Sequence, residues 1–315
     1  MLIKVLGAAA GGGFPQWNCN GLQSRAVRSG AAHYKARTQS SIAVSTTGEK
    51  WVLFNASPDI GSQIRDNPEL HPHIDEPLRN TPINAVMLTN GDVDHVAGLL
   101  TIRERQAFNL YGSGMVLDVL SANSIFNVLN PDYVNRIEMP LNQAIAIEGP
   151  DGPLGLMIEM FDVPGKIPLY QETEGQSLAD MKKTEGATVG LKFWSDGTMG
   201  PKSKPAYYIP GCAEVDEALA ARIKGAAMVL LDGTVFTDTE MPDQGLMHKT
   251  GTRMGHLSMA GENGSLKALE NLDVARKIFI HINNSNPVLD ENSDERHTVT
   301  DAGWDVAYDG MELEL

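Results

Sequence analysis

The apolar runs in the first half of the chain predict strands that are separated by turns. The strand-like runs cover residues 2–7, 41–45, 51–57, 83–89 and 108–113. The segment "TTGEK" between the second and third runs contains Gly48, which favours a hairpin turn. The run "INAVMLT" is almost continuously apolar, as is typical of a strand buried on both faces. Helical spacing follows Pro58 and covers 95–106 and 113–129.

The second half continues in the same style. Further strands are predicted at 156–163, 188–195, 206–209, 226–234 and 277–286, and helices at 215–225 and 265–272. Strands that alternate with helices, with a hairpin near the start, indicate α/β layers. The stretch 163–187 has no regular pattern, so we expect a long loop that covers a site or is partly mobile.

Composition indicates a soluble globular chain, with 42% hydrophobic and 21% charged residues. Its 315 residues suit one large α/β domain over 1–315. A net charge of −15 argues against a nucleic-acid or anionic-membrane partner. The two cysteines, Cys19 and Cys212, are far apart and argue against a disulfide framework. No apolar run is long enough for a membrane helix, so we expect a cytoplasmic protein without membrane insertion.

Residues that can carry chemistry follow several predicted strands. They are Asp59, Asp92, Asp94, His95, Asp232 and His281. Open α/β sheets build sites at such strand ends. A simpler interpretation is that Asp94 caps a helix and that His95 lies at the surface. For His256, in "TRMGHLSMAG", a site residue and a loop histidine without a role both remain open.

Several longer blocks resemble a known family. The motifs "NASPDI", "LTNGDVDHVAGLL", "LLDGT", "MGHLSMAG" and "HINNSNP" occur in the order of a metallo-β-lactamase-like chain. The blocks "AAGGGFPQWNCN", "RTQSSIAVS", "VPGKIPLY" and "YIPGCAEV" resemble, more narrowly, the coenzyme PQQ synthesis protein B family. The resemblance covers essentially the whole chain.

The resemblance implies a fold and an activity. The fold is a four-layer αββα sandwich with a metal site at one edge of its two sheets. The implied role is in the synthesis of pyrroloquinoline quinone (PQQ) from a Glu-Tyr pair excised from a peptide. The family is similar to iron-dependent hydroxylases that add oxygen to a tyrosine ring. The resemblance also implies a second, alternative role, in which the protein carries PQQ or its precursor out of the cytoplasm.

The Asp-His motif differs from that of a zinc hydrolase of this layout. Such a hydrolase carries two more histidines, where this chain has Asn90 and Asp92. Two histidines and one carboxylate, with open positions, suit non-haem Fe(II) and O₂. We expect Asp92, His95 and His281 to bind the metal, with Asp94 as a fourth ligand or as a group that orients one.

Other residues are candidates for catalysis. Asp232 and His256 are expected near the metal, where His256 acts as a base on the phenol or holds substrate. Lys166 stands near the place where superfamily members carry another metal ligand, so it argues against a second metal and suits a substrate carboxylate. Ser57 and Asp59 are expected to support the metal loop by hydrogen bonds.

One departure from the family concerns cysteines. Family members often carry a Cys-x-Cys-x-x-Cys cluster that is thought to hold a structural zinc. Here Cys19 is followed by Gly21 and Ser24 at the other two places, so that zinc is not expected. Zinc at the main site of the purified protein remains compatible with the ligands.

Three functions are therefore compared. The first is Fe(II)- and O₂-dependent hydroxylation of the tyrosine ring in a small or dipeptide precursor of PQQ. The second is a carrier of PQQ or its precursor, and the third is a zinc hydrolase, against which the missing histidines count. The expected partners are the precursor and O₂, and a homodimer is plausible.

Overall fold

The computed structural model describes residues 1–165 and 184–315, and the predicted site residue Lys166 lies outside them. The strands are β1 Leu2–Gly7, β2 Ser41–Ser45, β3 Trp51–Phe54, β4 Ile83–Met87, β5 Phe108–Gly112, β6 Val134–Glu138, β7 Ala144–Gly149, β8 Gly152–Asp162, β9 Val189–Ser195, β10 Ala206–Ile209, β11 Met228–Asp232, β12 Lys277–Ile280, β13 Trp304–Val306 and β14 Glu312–Glu314. The α-helices are α1 Leu22–Arg28, α2 Ile60–Asp66, α3 Val93–Val96, α4 Gly114–Ala122, α5 Glu217–Ile223, α6 Glu240–Asp243, α7 Gly251–Met254, α8 Ser265–Ala268 and α9 Asp294–Asp301. Short 3₁₀ helices cover Pro68–Leu70, Ala97–Leu100, Ser124–Val128 and Pro287–Leu289.

The strands form two mixed sheets. The first sheet has the order β14-β1-β2-β3-β4-β5-β6, and the second has the order β13-β12-β11-β10-β9-β8-β7. From β3 to β6 and from β10 to β13 neighbouring strands are parallel, whereas the remaining pairs are antiparallel. The predicted hairpin between β2 and β3 is confirmed, and Gly48 in its turn has φ +85°.

The core lies in three layers because the central strands are buried on both faces. In β3, Val52 and Phe54 point towards the second sheet, whereas Trp51 and Leu53 point away from it. Phe54 meets Phe193 of the second sheet edge-on at a ring-centroid distance of 5.0 Å. The outer face of the first sheet packs on α2 and α4, and that of the second on α5 and α9. The expected four-layer αββα sandwich is therefore confirmed.

Several predicted elements differ in extent from the structure. The helix predicted over 113–129 is α4 followed by a 3₁₀ turn, and the strand predicted over 277–286 ends at Ile280. The sequence pattern does not predict β6, β7, β13 or β14. Two further differences lie next to the site. The predicted helix at 95–106 is wrong, because the chain makes only α3 and one 3₁₀ turn before it bends away. Arg105 there has φ +60°, which an α-helix does not tolerate. The strand predicted over 51–57 ends at Phe54, because Asn55 has φ +62° and turns the chain towards the site. Among the described helices, none is long and apolar enough to cross a membrane.

Candidate metal centre

The loop after β4 carries Asn90 and Asp92 and leads into α3, which carries Asp94 and His95; this segment is fixed to both sheets. The Thr89 amide donates to Asn55 Oδ1 at 2.9 Å, and Asn55 Nδ2 donates to Thr89 Oγ1 at 2.9 Å. The Thr89 carbonyl accepts from the Val189 amide of the second sheet at 2.9 Å. These bonds place the loop at the edge where both sheets end.

Close backbone contact brings the end of α3 and the 3₁₀ turn that follows it against the segment after β3. A Cβ at Gly98 would lie 2.1 Å from the Ser57 carbonyl oxygen, so only glycine fits there. The Ala56 amide donates to the His95 carbonyl at 2.8 Å. His95 is therefore held inside the fold and is only 1% exposed.

Asn90 fixes the ring of His95. Asn90 Oδ1 lies 2.7 Å from His95 Nδ1 and also accepts from the Asp92 amide at 3.0 Å. Because an amide oxygen only accepts, Nδ1 of His95 carries the proton. Nε2 then holds a lone pair, and among the described residues it has no hydrogen-bond partner. Burial lowers the pKa of His95 to about 4, so the ring is neutral near neutral pH.

Asp94 completes this side of the site. The simpler interpretation, a capping Asp94 and a surface His95, is wrong, because Asp92 holds the N-cap position and Asp94 lies within α3. Asp94 Oδ2 lies 3.1 Å from His281 Nε2 and 4.0 Å from His95 Nε2. Burial opposes its ionisation, but the neighbouring His95 and His281 hold the pKa of Asp94 below its usual value.

The other side of the site comes from the parallel neighbours β11 and β12. Asp232 is the last residue of β11, and His281 directly follows β12 with φ +59°. Burial lowers the pKa of His281, but the hydrogen bond to Asp94 and the charges of the nearby carboxylates together outweigh that effect and raise the pKa overall. His281 and His256 stack with their ring centroids 5.2 Å apart.

Asp232 is fully occupied by donors from the protein. Its Oδ1 accepts from the amide and the hydroxyl of Thr234 at 2.9 and 2.6 Å. Its Oδ2 accepts from the Cys212 amide at 2.8 Å and lies 2.6 Å from His256 Nδ1. Burial opposes ionisation, yet the charge of His256 and these hydrogen bonds hold the pKa of Asp232 below its usual value. Asp232 therefore orients His256 through Nδ1 and leaves Nε2 for other contacts.

Two groups of side chains in the described residues have the spacing of metal ligands. Asp94, His95 and His281 form one group, and Asp232, His256 and His281 form the other. Within each group the ligand atoms lie within 4.8 Å of one another. The first group fits a divalent metal better, because the buried Nε2 of His95 lacks a partner there, whereas both oxygens of Asp232 are already engaged.

A cavity of about 260 Å³ lies in front of these residues. The predicted residues Asp92, Asp94, His95, His256 and His281 line it, whereas Asp232 is buried behind them. Asp92 belongs to neither metal-ligand group. The remaining wall includes Asn90, Thr234, Met241, Met247, Lys249 and Met254.

Asp59, which the sequence predicts to support the metal loop, has defined hydrogen-bond partners in the structure. Asp59 Oδ2 accepts from the amide and from Nε2 of Gln39 at 2.9 Å each. Gln39 Oε1 in turn accepts from the Gly12 amide at 2.9 Å. Neighbouring Gly11 is so close to the site that an added Cβ would lie 3.4 Å from Asp94 Oδ2. Asp59 thus holds the glycine-rich turn against Asp94.

Sequence reasoning missed the roles of Asn90 and Thr234. Asn90 was noted only as a replacement for a histidine, and Thr234 stands unremarked in "LLDGT". Their position within the motifs was the available signal, since a histidine ligand usually donates its second ring nitrogen to a nearby oxygen. The lining methionines and Lys249 carried no signal, because they lie in a stretch of short helices and loops that the sequence pattern does not predict.

The chain is similar to known proteins of one family. A family model described as the Beta-lactamase superfamily domain matches residues 50–282. A protein of Gluconacetobacter diazotrophicus named coenzyme PQQ synthesis protein B is 49% identical over 312 residues, which cover 99% of this chain and 98% of that one. Its namesake in Methylorubrum extorquens is 48% identical over the full length of both chains. The chain belongs to the coenzyme PQQ synthesis protein B family.

A solved structure from the PQQ synthesis protein B family extends the comparison. The Zn²⁺-bound PqqB of Methylobacterium extorquens superposes with a TM-score of 0.92 at 47% identity and covers both chains completely. A diphosphatase of the PhnP family has a TM-score of 0.65 at 21% identity, covering 100% of this chain and 97% of that one, and shares the fold. The resemblance inferred from the motifs is therefore confirmed at the level of family and fold.

Around Cys19, where this sequence lacks the cysteine cluster that the family resemblance implies, the structure shows other contacts. Arg28, at the end of α1, donates from Nη1 to the Cys19 carbonyl and from Nη2 to the Gln16 carbonyl, each at 2.5 Å. Ser24 is buried, and its hydroxyl has no partner among the described residues. Within the described chain, neither metal-ligand group includes Cys19. A guanidinium group thus fastens the segment around Cys19, where the family resemblance implies a cysteine cluster.

Proposed function

We propose that this chain acts in PQQ synthesis as an Fe(II)- and O₂-dependent hydroxylase of the tyrosine ring in a Glu-Tyr-derived precursor. The observation that carries the proposal is the group of Asp94, His95 and His281 around Nε2 of His95, which has no hydrogen-bond partner among the described residues. Two imidazoles and one carboxylate, with positions left open, are the ligand set of non-haem Fe(II) oxygenases. The names of relatives 47–49% identical support the pathway.

The residues around the metal position have separable tasks. His95 offers a neutral nitrogen because it is buried and because Asn90 holds the proton on Nδ1. Asp94 supplies one negative charge, and its carboxylate lies beside Gly11. Bound Fe(II) would supply the means of activating O₂, which does not react directly with an aromatic ring. The overall change puts one oxygen atom into a ring C–H bond and releases the other as water, with two electrons from an external reductant.

The cavity wall suits an aromatic amino acid. Met241, Met247 and Met254 offer a polarisable apolar surface, and methionine sulfur makes favourable contacts with ring edges. Lys249 is the cationic side chain among the described lining residues and suits a substrate carboxylate. A volume of about 260 Å³ favours an amino acid or dipeptide side chain over a folded peptide.

His256 has the position of a group that handles the phenol. Its Nδ1 is bound to Asp232 at 2.6 Å, so Nε2 remains for a substrate hydroxyl. An imidazole oriented by a buried carboxylate is a common general base. In this proposal His256 accepts the phenolic proton or holds the phenol in place, and Asp232 keeps the ring oriented.

The test is a turnover experiment on the full chain. We would purify the protein without oxygen, load it with Fe(II), add a Glu-Tyr dipeptide and a reductant, and then admit ¹⁸O₂. The expected result is a product heavier by one or two ¹⁸O atoms, lost in His95→Ala and His281→Ala but retained in His297→Ala, a change at an exposed histidine of α9. Binding of PQQ without oxygen gain would favour the carrier, and cleavage with zinc would favour the hydrolase.

A further inference from the structure

Thr234 stands at the centre of the hydrogen bonds behind the metal position. It is 3% exposed and follows β11 after Gly233, where a Cβ would lie 2.9 Å from both Met259 and Phe279. Its hydroxyl oxygen lies 2.6 Å from Asp232 Oδ1, 2.8 Å from His281 Nδ1, 3.1 Å from His256 Nδ1 and 3.0 Å from the His281 carbonyl. One hydroxyl proton must be distributed among these contacts.

The acceptor chemistry decides where that proton lies. A hydroxyl has one proton and two lone pairs, and the bond to an ionised carboxylate is the strongest it can donate. The shortest contact is the one to Asp232 Oδ1, so the hydroxyl donates there. His256 Nδ1 has its own carboxylate oxygen at 2.6 Å. The lone pair of Thr234 is therefore left for the proton on Nδ1 of His281.

The backbone of His281 has an unusual conformation. His281 has φ +59°, a backbone conformation that residues other than glycine seldom adopt. The Ile282 amide holds the turn by donating to the Ala8 carbonyl at 2.9 Å. The turn aims the imidazole at Asp94, but it does not determine which ring nitrogen carries the proton.

We propose that Thr234 is the positioning residue that fixes the proton of His281 on Nδ1 and so directs the lone pair of Nε2 to the metal. Asp232 acts behind it, because the carboxylate binds the hydroxyl proton and leaves the oxygen as an acceptor. The same carboxylate sets His256, so one buried Asp-Thr pair orients two histidines. The proposal rests on the metal site of the proposed function and assigns a role to a side chain that is not itself a ligand.

Two variants separate this role from packing. Thr234→Val keeps the shape and removes the hydroxyl, whereas Thr234→Ser keeps the hydroxyl and removes a methyl group. We would load the full chain with Co(II) and measure affinity by competition with a chromophoric chelator. We expect Thr234→Val to bind Co(II) about 10- to 100-fold more weakly and Thr234→Ser to remain close to the unchanged protein.

A spectroscopic measurement tests the proton directly. In the Zn(II)-loaded protein with ¹⁵N-labelled histidine, we expect His281 to show a proton on Nδ1 that exchanges slowly with water. That proton should exchange faster in Thr234→Val and remain protected in Thr234→Ser. The unchanged protein alone is informative even if the valine variant does not fold, because a proton on Nε2 of zinc-loaded His281 would overturn the proposal.

The outcomes distinguish this proposal from the function on which it rests. Equal Co(II) affinity in the unchanged protein and in Thr234→Val would overturn the role of Thr234 and leave the metal site intact. Weaker binding in Thr234→Ser than in Thr234→Val would mean that the methyl group and packing matter, which also overturns it. Failure of the unchanged protein to bind Co(II) would overturn the metal site and both proposals together.

Discussion

Asp92 and Asp94 lie two residues apart in the same motif, yet the structure gives them different surroundings. Asp94 lies against His95 and His281, whereas Asp92 holds the N-cap position of α3 and lines the cavity. His95 directly follows Asp94, and a hydrogen bond between its Nδ1 and Asn90 Oδ1 fixes its ring. At this scale, function depends on side-chain direction, which differs between Asp92 and Asp94 although only Val93 separates them.

Glu240 is a buried acid beside the cavity whose charge state depends on the fold. Its Oε1 accepts from Ser285 Oγ at 2.6 Å and its Oε2 from the Phe236 amide at 2.6 Å. Burial raises the pKa of Glu240 from 4.5 to about 7. The fold therefore favours the protonated acid, so its stabilisation is present below pH 4.5 and is lost as pH rises through 7.

The prediction for Glu240 is a change in pH dependence. Between pH 5 and 8, the free energy of unfolding should fall less in Glu240→Gln than in the unchanged protein, by on the order of 2 kcal/mol. Urea unfolding at several pH values measures this. Glu262→Gln, at an exposed glutamate, is the control and should leave the pH dependence unchanged. Parallel curves for Glu240→Gln and the unchanged protein would contradict the prediction.

At the scale of elements, the site is bounded by short segments that are tied to one another. The wall that carries Met241 is joined to the loop after His281 by Gln244 Nε2, which donates to the Ser285 carbonyl at 2.8 Å. On the other side Asn284 Nδ2 donates to Gln16 Oε1 at 2.6 Å. The segment that Arg28 fastens therefore reaches the cavity through Gln16.

Removing the guanidinium should loosen that segment. Arg28→Ala loses two hydrogen bonds to carbonyls, and for exposed groups we expect a local loss of about 1 kcal/mol. Amide hydrogen exchange over residues 16–21 should then become about fivefold faster. Arg25→Ala changes an exposed arginine of the same helix and should have no such effect. Unchanged exchange in Arg28→Ala would show that other contacts hold the segment.

At the scale of the whole molecule, the two sheets are held together by an apolar core that also positions the site. β3 and β4 lead into the loops of the first sheet at the site, and β11 and β12 end there in the second. The layer between the sheets includes Phe54, Phe193 and Tyr208. The distance between Asp94 and His281 thus depends on how one sheet packs on the other.

Truncation in this layer should weaken the entire fold. Phe193→Ala removes a fully buried ring and its edge-on contact with Phe54, and we expect a loss of about 3–5 kcal/mol in the free energy of unfolding. Denaturation by urea measures it. Leu78→Ala, at a fully exposed leucine, should change that free energy by less than about 0.5 kcal/mol. A small effect at Phe193 would mean that the sheets repack around the cavity.

The sequence by itself determined ten of the fourteen described strands, the family and the residues able to carry chemistry. The continuous apolar runs at 41–45 and 83–89 became β2 and β4 because both faces of those strands are buried. It overestimated the helix at 95–106, because the contact of Gly98 with Ser57 joins segments that are distant in the chain.

Only the tertiary structure decided how those residues meet. Asp94 and His281 are 187 residues apart in the chain and 3.1 Å apart in space. Asn90 sets which ring nitrogen His95 presents, and Thr234 sets which one His281 presents. Both act through hydrogen bonds whose geometry depends on both sheets. Local patterns reveal which side chains a segment buries, whereas distances between strand ends arise from packing over the whole molecule.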